Sequence, residues 1–504
     1  MAIKTDMEPS LEKLTASVQI QPKSENMEIK TIAHVDNAAN QELEFILAVE
    51  FSDSPGKFVI KEISQSGHPC RYRLGRDRVF VTPVQPADQA EIKFVYTGKP
   101  RQDPDDFITA KEIVLRMDGA WLPTIPSSCA DFDVTIRHPS GYTFFGQGIC
   151  EGKRIIDDES TESRWTLKSG NGFTLYGAPE YKVKRAVVKD TEIIIAVWPR
   201  DANLLDELSD IVTTIMQRLT RVFGSYPYPV VRIVESGRWN GKSAYGAISN
   251  VSIGYQMLRK GIDKVMVAHE LTHGWWGGIV PSRHESLHRG QWNETLAEYT
   301  SGWALEPDEA LALRRRWSQN YASLDESSDR PILQIGSYTS HWKVNEAITY
   351  HKGALLMTSL EDRIGPEALM KALATFVRTR EGKPSGWEDL LNAIGEQSDA
   401  DTITWLRDWL SKSSAPRLIL EELKSEEKQL LGKLIQEGDS LFEGRVEIGV
   451  YRDDKLLGIE WASFKDKVNS LEVRLPNRVN RIRLDPRFRI PRRYDPDMPE
   501  FYKL

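Results

Sequence analysis

The chain reads as a multidomain α+β protein, with a β-rich N-terminal part, a mainly helical centre and a β-rich C-terminal part. Three observations predict this. Apolar and polar residues alternate with a period of two up to about residue 202. From about Asn203 the apolar spacing changes to threes and fours, and it holds to about residue 412. Alternation then returns and runs to residue 504. A chain of 504 residues exceeds what one hydrophobic core serves, so three domains are expected, 1–202, 203–412 and 413–504.

The N-terminal strands are expected at 27–35, 43–51, 79–84, 91–96 and 134–138, punctuated by Gly and Pro, with 146–152 and 192–198 continuing the pattern. No catalytic constellation stands out in this part. His34, His68 and His138 are isolated, as structural or solvated histidines are. Hydrophobic residues at 40% and charged residues at 28% are ordinary for a globular protein, and a net charge of −7 argues against nucleic acid as a partner. No run of eighteen apolar residues is present, so no membrane span is expected. The opening MAIKTDMEPSLEKL lacks the apolar core of a signal peptide. Cys70, Cys129 and Cys150 are too few for a disulfide framework and suit reduced thiols, so a cytoplasmic location is expected.

The centre opens on a helix whose one face carries Leu204, Leu208, Ile211, Ile215, Leu219 and Phe223, ended by Gly224. A strand follows at 230–235. The stretch 265–276, VMVAHELTHGWW, then places His269 and His273 at i and i+4, one above the other on a helix, so both imidazoles reach one metal ion. Glu270 leans over the open side of that metal, where a general base belongs. Asp263 is the expected cap, Gly277-Gly278 the expected stop, and Ile262, Met266, His269, His273 and Trp276 the expected buried stripe. Downstream, 291–299 is a helical run with Glu294 and Glu298 one turn apart. Glu294 is expected to complete a two-His, one-carboxylate set, and Glu298 to accept a hydrogen bond from the far nitrogen of a ligand histidine.

On these residues the sequence resembles the gluzincin zinc metallopeptidases of the aminopeptidase N type, which include leukotriene-hydrolase-like enzymes. Their signature is His-Glu-x-x-His, eighteen residues, then Glu within Asn-Glu-Gly. Here twenty residues separate His273 from Glu294, and Thr295 stands in place of the Gly. A metzincin would need a third His at 279, which is Ile279. The resemblance implies a thermolysin-like catalytic domain holding one Zn²⁺ per chain and a peptide or peptide-like substrate. It also matches Gly246, Ala247, Ile248, Ser249 and Asn250 to the family's Gly-Ala-Met-Glu-Asn edge strand, whose backbone pairs with substrate. The Glu that binds the substrate's α-amine is Ser249 here, which cannot neutralise an ammonium. Tyr350, His351, Lys352 and Gly353 resemble the family's Tyr-x-Lys-Gly segment, in which the Tyr donates to the developing oxyanion. His284, His288, His341 and His351 are read as surface or wall residues, and Arg314 to Arg316 as a solvated helix face.

Helices from 366 to about 410 close this part, with Trp405 and Trp409 one turn apart. Short strands at 418–423, 430–436, 445–451, 457–464, 471–475 and 480–484 suggest a C-terminal β-sandwich. The large helical domain that the family often adds is not expected in this compact form. Two other readings use the same residues: a zinc hydrolase or lyase of a small metabolite, and a scaffold that keeps the fold without turnover.

Overall fold

The computed structural model describes residues 8–39, 42–49, 55–85, 87–283, 290–336, 341–426, 428–476, 479–494 and 500–504. These group into two compact units, residues 1–284 with 377–385 and residues 285–376 with 386–504. N-terminal β-sheets, a helical middle and C-terminal β-sheets follow one another along the chain, as the hydrophobic periodicities predict.

In the first unit, Ser10–Gln21, Asn26–Asp36, Gln89–Gly98 and Ala130–Pro139 lie at the centre of an eight-stranded sheet. Alternate residues of these strands are buried, because one face packs on a core and the other meets solvent. A second, five-stranded sheet has the order Lys182–Val188, Thr191–Val197, Val230–Ser236, Asn250–Gly254, Ala244–Ala247. Its first two strands, which the alternation pattern assigned to the N-terminal part, pair here with the strands that follow residue 229. Period-two patterning identifies a strand but not its sheet, so the boundary at 202 falls between two strands of one sheet. Thr191–Val197 and Val230–Ser236 run parallel, which requires a crossover connection. The helix Leu205–Phe223 supplies it, burying Leu208, Val212, Ile215, Met216, Leu219 and Phe223 and ending at Gly224 with φ 86°.

The second unit contains the helices Trp292–Ser301, Pro307–Ala322, Gly353–Ile364, Trp387–Gly395 and Ala400–Ser411. Two C-terminal sheets follow. One is built from Arg417–Glu426, Gln429–Glu437 and Val468–Arg474, the other from Lys455–Phe464, Gly444–Arg452, Arg481–Leu484 and Tyr502–Lys503. The indoles of Trp405 and Trp409 both donate to the carbonyl of Glu443, at 2.7 and 2.9 Å, which ties the last helix to these sheets. The segment 485–494 straps the helices to the strands. Its Arg489 holds the Asp362 carboxylate with 2.8 Å contacts, and Arg487 and Arg493 pair with the fully buried Glu447 and Asp329. Arg314, expected on a solvated face, donates to the Arg487 carbonyl at 3.1 Å; Arg315 and Arg316 are exposed.

Candidate metal centre and active site

The histidine helix runs Lys264–Thr272. Asp263 caps it as predicted, its carboxylate accepting the amides of Val265 at 2.9 Å and Met266 at 3.4 Å. The helix stops at Thr272, earlier than Gly277. The chain then tightens through Trp275 and Trp276 amide bonds to the Thr272 carbonyl. Burial also differs from the expected stripe. Val267, Ala268 and Leu271 have no exposed surface, whereas Ile262 and Met266 are half-buried. The apolar face therefore packs inward, and the stripe that ends in the histidines borders it. Trp275 and Trp276 brace the turn after the helix against Phe223, with ring centroids 5.4 and 5.2 Å away.

His269 and His273 are buried, and their Nε2 atoms lie 3.2 Å apart. The Nδ1 of His273 sits 2.9 Å from the Trp276 carbonyl. A carbonyl oxygen only accepts, so the proton belongs on Nδ1 and the Nε2 lone pair of a neutral His273 faces His269. Two ring nitrogens directed at each other in this way suit a shared cation. Among the described residues, one nitrogen from each histidine and one carboxylate oxygen of Glu294 lie within 4.8 Å of one another. Two imidazoles and a carboxylate are a donor set that fits Zn²⁺.

The edge strand Ala244–Ala247 packs against the histidine helix. A Cβ added at Gly246 would stand 2.4 Å from the Glu270 carbonyl oxygen and 3.0 Å from both Glu270 Oε2 and His273 Cβ. Only glycine allows that approach. Ala247 is buried, and the next residues form the hairpin turn into Asn250–Gly254. Here the expectation for Ser249 needs correction. It has φ 58° and no exposed surface; its hydroxyl accepts the Gly148 amide at 2.6 Å, and its carbonyl accepts the Arg232 amide at 3.0 Å. Asn250 is likewise fully buried and donates to the Phe145 carbonyl at 3.1 Å. Both side chains hold the hairpin to the sheet around Gly148 and present no surface to a substrate.

Glu294 and Glu298 lie on Trp292–Ser301, one turn apart as the spacing requires. Glu294 is half-buried and accepts from Asn293 Nδ2 at 3.0 Å. Glu298 is buried and accepts the indole N–H of Trp317. Thr295, at the position where the resemblance expects Gly, is fully buried, and its hydroxyl donates to the Thr349 carbonyl at 2.7 Å. That bond reaches the segment Glu346–Lys352, a π-helix that carries Tyr350. Gly353 follows directly, and a Cβ there would meet Thr295 Oγ1 at 2.6 Å. Tyr350 is half-buried, its ring 5.5 Å from that of Trp342. His341 caps the short helix Trp342–Asn345, His351 is buried, and His284 and His288 lie outside the described residues.

Sequence reasoning missed two buried charge groups. Lys352 has no exposed surface and reaches Asp329 at 3.4 Å and the Lys412 carbonyl at 3.1 Å; burial pushes its ammonium down to about 8. Tyr321 donates to the same Asp329 at 2.7 Å. The one sequence signal for Lys352 is its place two residues after Tyr350. In the first unit, burial pushes the Glu235 carboxyl up to about 8, with Asp201 beside it adding to the shift. No sequence spacing links those two residues.

Residues 256–409 match the Peptidase family M1 domain. The chain is 26% identical over 227 residues to aminopeptidase N of Lactococcus lactis subsp. lactis, covering 42% of this chain and 25% of that protein. It is 22% identical over 314 residues to tricorn protease-interacting factor F2 of Thermoplasma volcanium, covering 58% of this chain and 39% of that protein. The chain thus spans between a quarter and two fifths of the length of these two relatives. Its fold is similar to that of a mutant M1 zinc metallopeptidase from Deinococcus radiodurans, with a TM-score of 0.66 at 17% identity, covering 81% of this chain and 96% of that one. Residues 256–409 thus match a peptidase family M1 domain, and the chain is similar in sequence to aminopeptidase N proteins.

Proposed function

We propose that this protein is a zinc-dependent metallopeptidase that hydrolyses peptide or peptide-like amide bonds. The observation that carries the reading is the donor set, two buried imidazole nitrogens 3.2 Å apart on one helix with the Glu294 carboxylate near them. His269, His273 and Glu294 would hold the ion, with Glu298 supporting a ligand histidine. When bound, zinc polarises the substrate carbonyl and makes water acidic enough to attack it near neutral pH. Glu270 takes a proton from the attacking water and delivers it to the leaving nitrogen, so the C–O bond forms, the C–N bond breaks and the proton count closes. Tyr350 donates a hydrogen bond to the carbonyl oxygen as charge develops there. The backbone of Gly246 and Ala247 pairs with an extended substrate, which needs no particular side chain.

The proposed organisation is an N-terminal β-domain, a catalytic domain that takes in the five-stranded sheet from Lys182 and runs to 412, and a C-terminal β-sandwich (413–504). No helix among the described residues is long and apolar enough to cross a membrane. A cytoplasmic setting suits three cysteines that are all free.

The position that the resemblance matches to the family's amine anchor holds Ser249, buried and bonded to Gly148, so no carboxylate is supplied from there, and an ammonium entering a partly dehydrated cleft needs one. The proposed substrates therefore present no free amine at that point. The test compares one peptide amide with its N-terminus free and acetylated, using protein loaded with one equivalent of zinc. The acetylated form should be cleaved at least as well. Cleavage of the free form alone would contradict the substrate assignment, and failure to cleave either, across a peptide panel, would favour a metabolite hydrolase or a scaffold.

A further inference from the structure

Trp239 combines two features. It is 51% exposed, as Trp342 is at 55%, whereas Trp121, Trp165, Trp275, Trp276, Trp292, Trp317 and Trp409 have almost no exposed surface. Its backbone is also left-handed, with φ 47° and ψ 42°, and Asn240 after it has φ 55° and ψ 37°. Two successive residues with side chains in this region are strained, and a bulky one is a clear outlier. Such a conformation persists only where the surroundings hold it.

Here they do. The Trp239 amide donates to the Pro104 carbonyl at 3.1 Å, and its indole N–H donates to Asp105 Oδ1 at 3.0 Å. Asn240 accepts from the Tyr255 hydroxyl at 2.9 Å and from Gln256 Nε2 at 2.8 Å. The polar edge of the indole is anchored, and its apolar face is left in solvent. Asp105 is already paired with Arg238 and Arg116, so the surroundings offer the ring no uncompensated carboxylate. A fixed, flat, apolar surface remains.

Its place gives that surface a use. Arg238, the preceding residue, donates to the Ala244 carbonyl at 3.1 Å and stacks on the Tyr245 ring. Tyr245 in turn donates to Asp118 at 2.8 Å. Trp239 is thus tied to the start of the edge strand Ala244–Ala247, whose Gly246 lies against Glu270 and His273. That strand ends its sheet and pairs only with Asn250–Gly254 among the described residues. A peptide added along it advances about 3.3 Å per residue. Running from Gly246 past Ala244, it reaches the neighbourhood of residue 239 after roughly two to four residues.

We propose that Trp239 is a specificity-determining subsite that packs an aromatic or aliphatic side chain of an extended peptide, two to four residues from the bond cleaved. The inference rests on the peptidase reading above and adds that the substrate is longer than a dipeptide. The experiment uses peptide amides of two to six residues, lengthened on either side of the cleaved bond, with Phe or Gly at the added positions. Lengthening on one side with Phe should raise kcat/KM about tenfold over Gly. Trp239→Asn, which tolerates the left-handed backbone, should bring that ratio to about one, and Trp239→Phe should restore most of it. Melting temperatures check that both variants fold. The same peptides are titrated against Glu270→Gln protein with and without Trp239→Asn, which reads binding without turnover. Hydrolysis with no Phe preference, or a preference that survives Trp239→Asn, overturns the subsite. Phe-selective binding that requires Trp239, in a protein that cleaves none of the peptides, would sustain the subsite and sink the peptidase reading.

Discussion

At the scale of single residues, the proposal gives Glu294 and Glu298 different roles although each is a half- or fully buried carboxylate on one helix. Glu294 contributes to the donor set, whereas Glu298 accepts the Trp317 indole and sits one turn on. Glu294→Ala should nearly abolish zinc binding, and Glu298→Ala should weaken it by roughly ten- to a hundredfold. Competition with a fluorescent chelator measures both, and a reversed order would make Glu298 the ligand. Glu235 gives a separate prediction. Its folded carboxyl titrates near 8 instead of 4.5, because it is buried beside Asp201. Between those two values the folded state holds a proton that the unfolded chain releases, so this contribution is full below about pH 4.5 and is lost as pH rises toward 8. Glu235→Gln keeps the group neutral. Thermal melts at pH 5 and pH 8 should show a smaller loss of stability in the variant than in the wild type, and equal losses would refute the assignment.

At the scale of elements, the histidine helix and the edge strand are one construction, joined where Gly246 meets Glu270. Gly246→Ala places a methyl 2.4 Å from a backbone oxygen that cannot rotate away, so strand or helix must shift. A displacement near 1 Å at the reacting groups costs roughly a hundredfold in rate. The predicted outcome is therefore a large drop in kcat with a modest fall in melting temperature. An unchanged kcat would mean that the strand does not position Glu270. The π-helical turn Glu346–Lys352 is the counterpart in the second unit. Such turns collect at functional positions, and this one carries Tyr350, with Lys352 buried against Asp329 and with Thr295 bonded to its Thr349 carbonyl.

At the scale of the whole chain, much was legible in sequence because the signals were local. The spacing of His269 and His273, the Asp263 cap and the change from period two to 3.6 all act within a few residues. What was not legible depends on distant partners. Nothing near Ser249 announces that Gly148, 101 residues away, takes its hydroxyl. The sharing of one sheet by 182–197 and 230–254 was hidden for the same reason. So was the strap at 485–494, whose arginines find Asp329, Asp362 and Glu447. The histidine helix stops at Thr272, whose carbonyl takes the Trp275 and Trp276 amides, before Gly277-Gly278 is reached. A glycine stop is only one of several ways to end a helix.

The central claim is that Glu270 moves the proton in a zinc-dependent amide hydrolysis. Its most direct test is the single-turnover rate of one peptide amide with wild-type and Glu270→Gln protein, each loaded with one equivalent of zinc and checked for metal content. The predicted result is equal zinc in both, with hydrolysis in the variant lower by several orders of magnitude. Equal rates at equal zinc would contradict it.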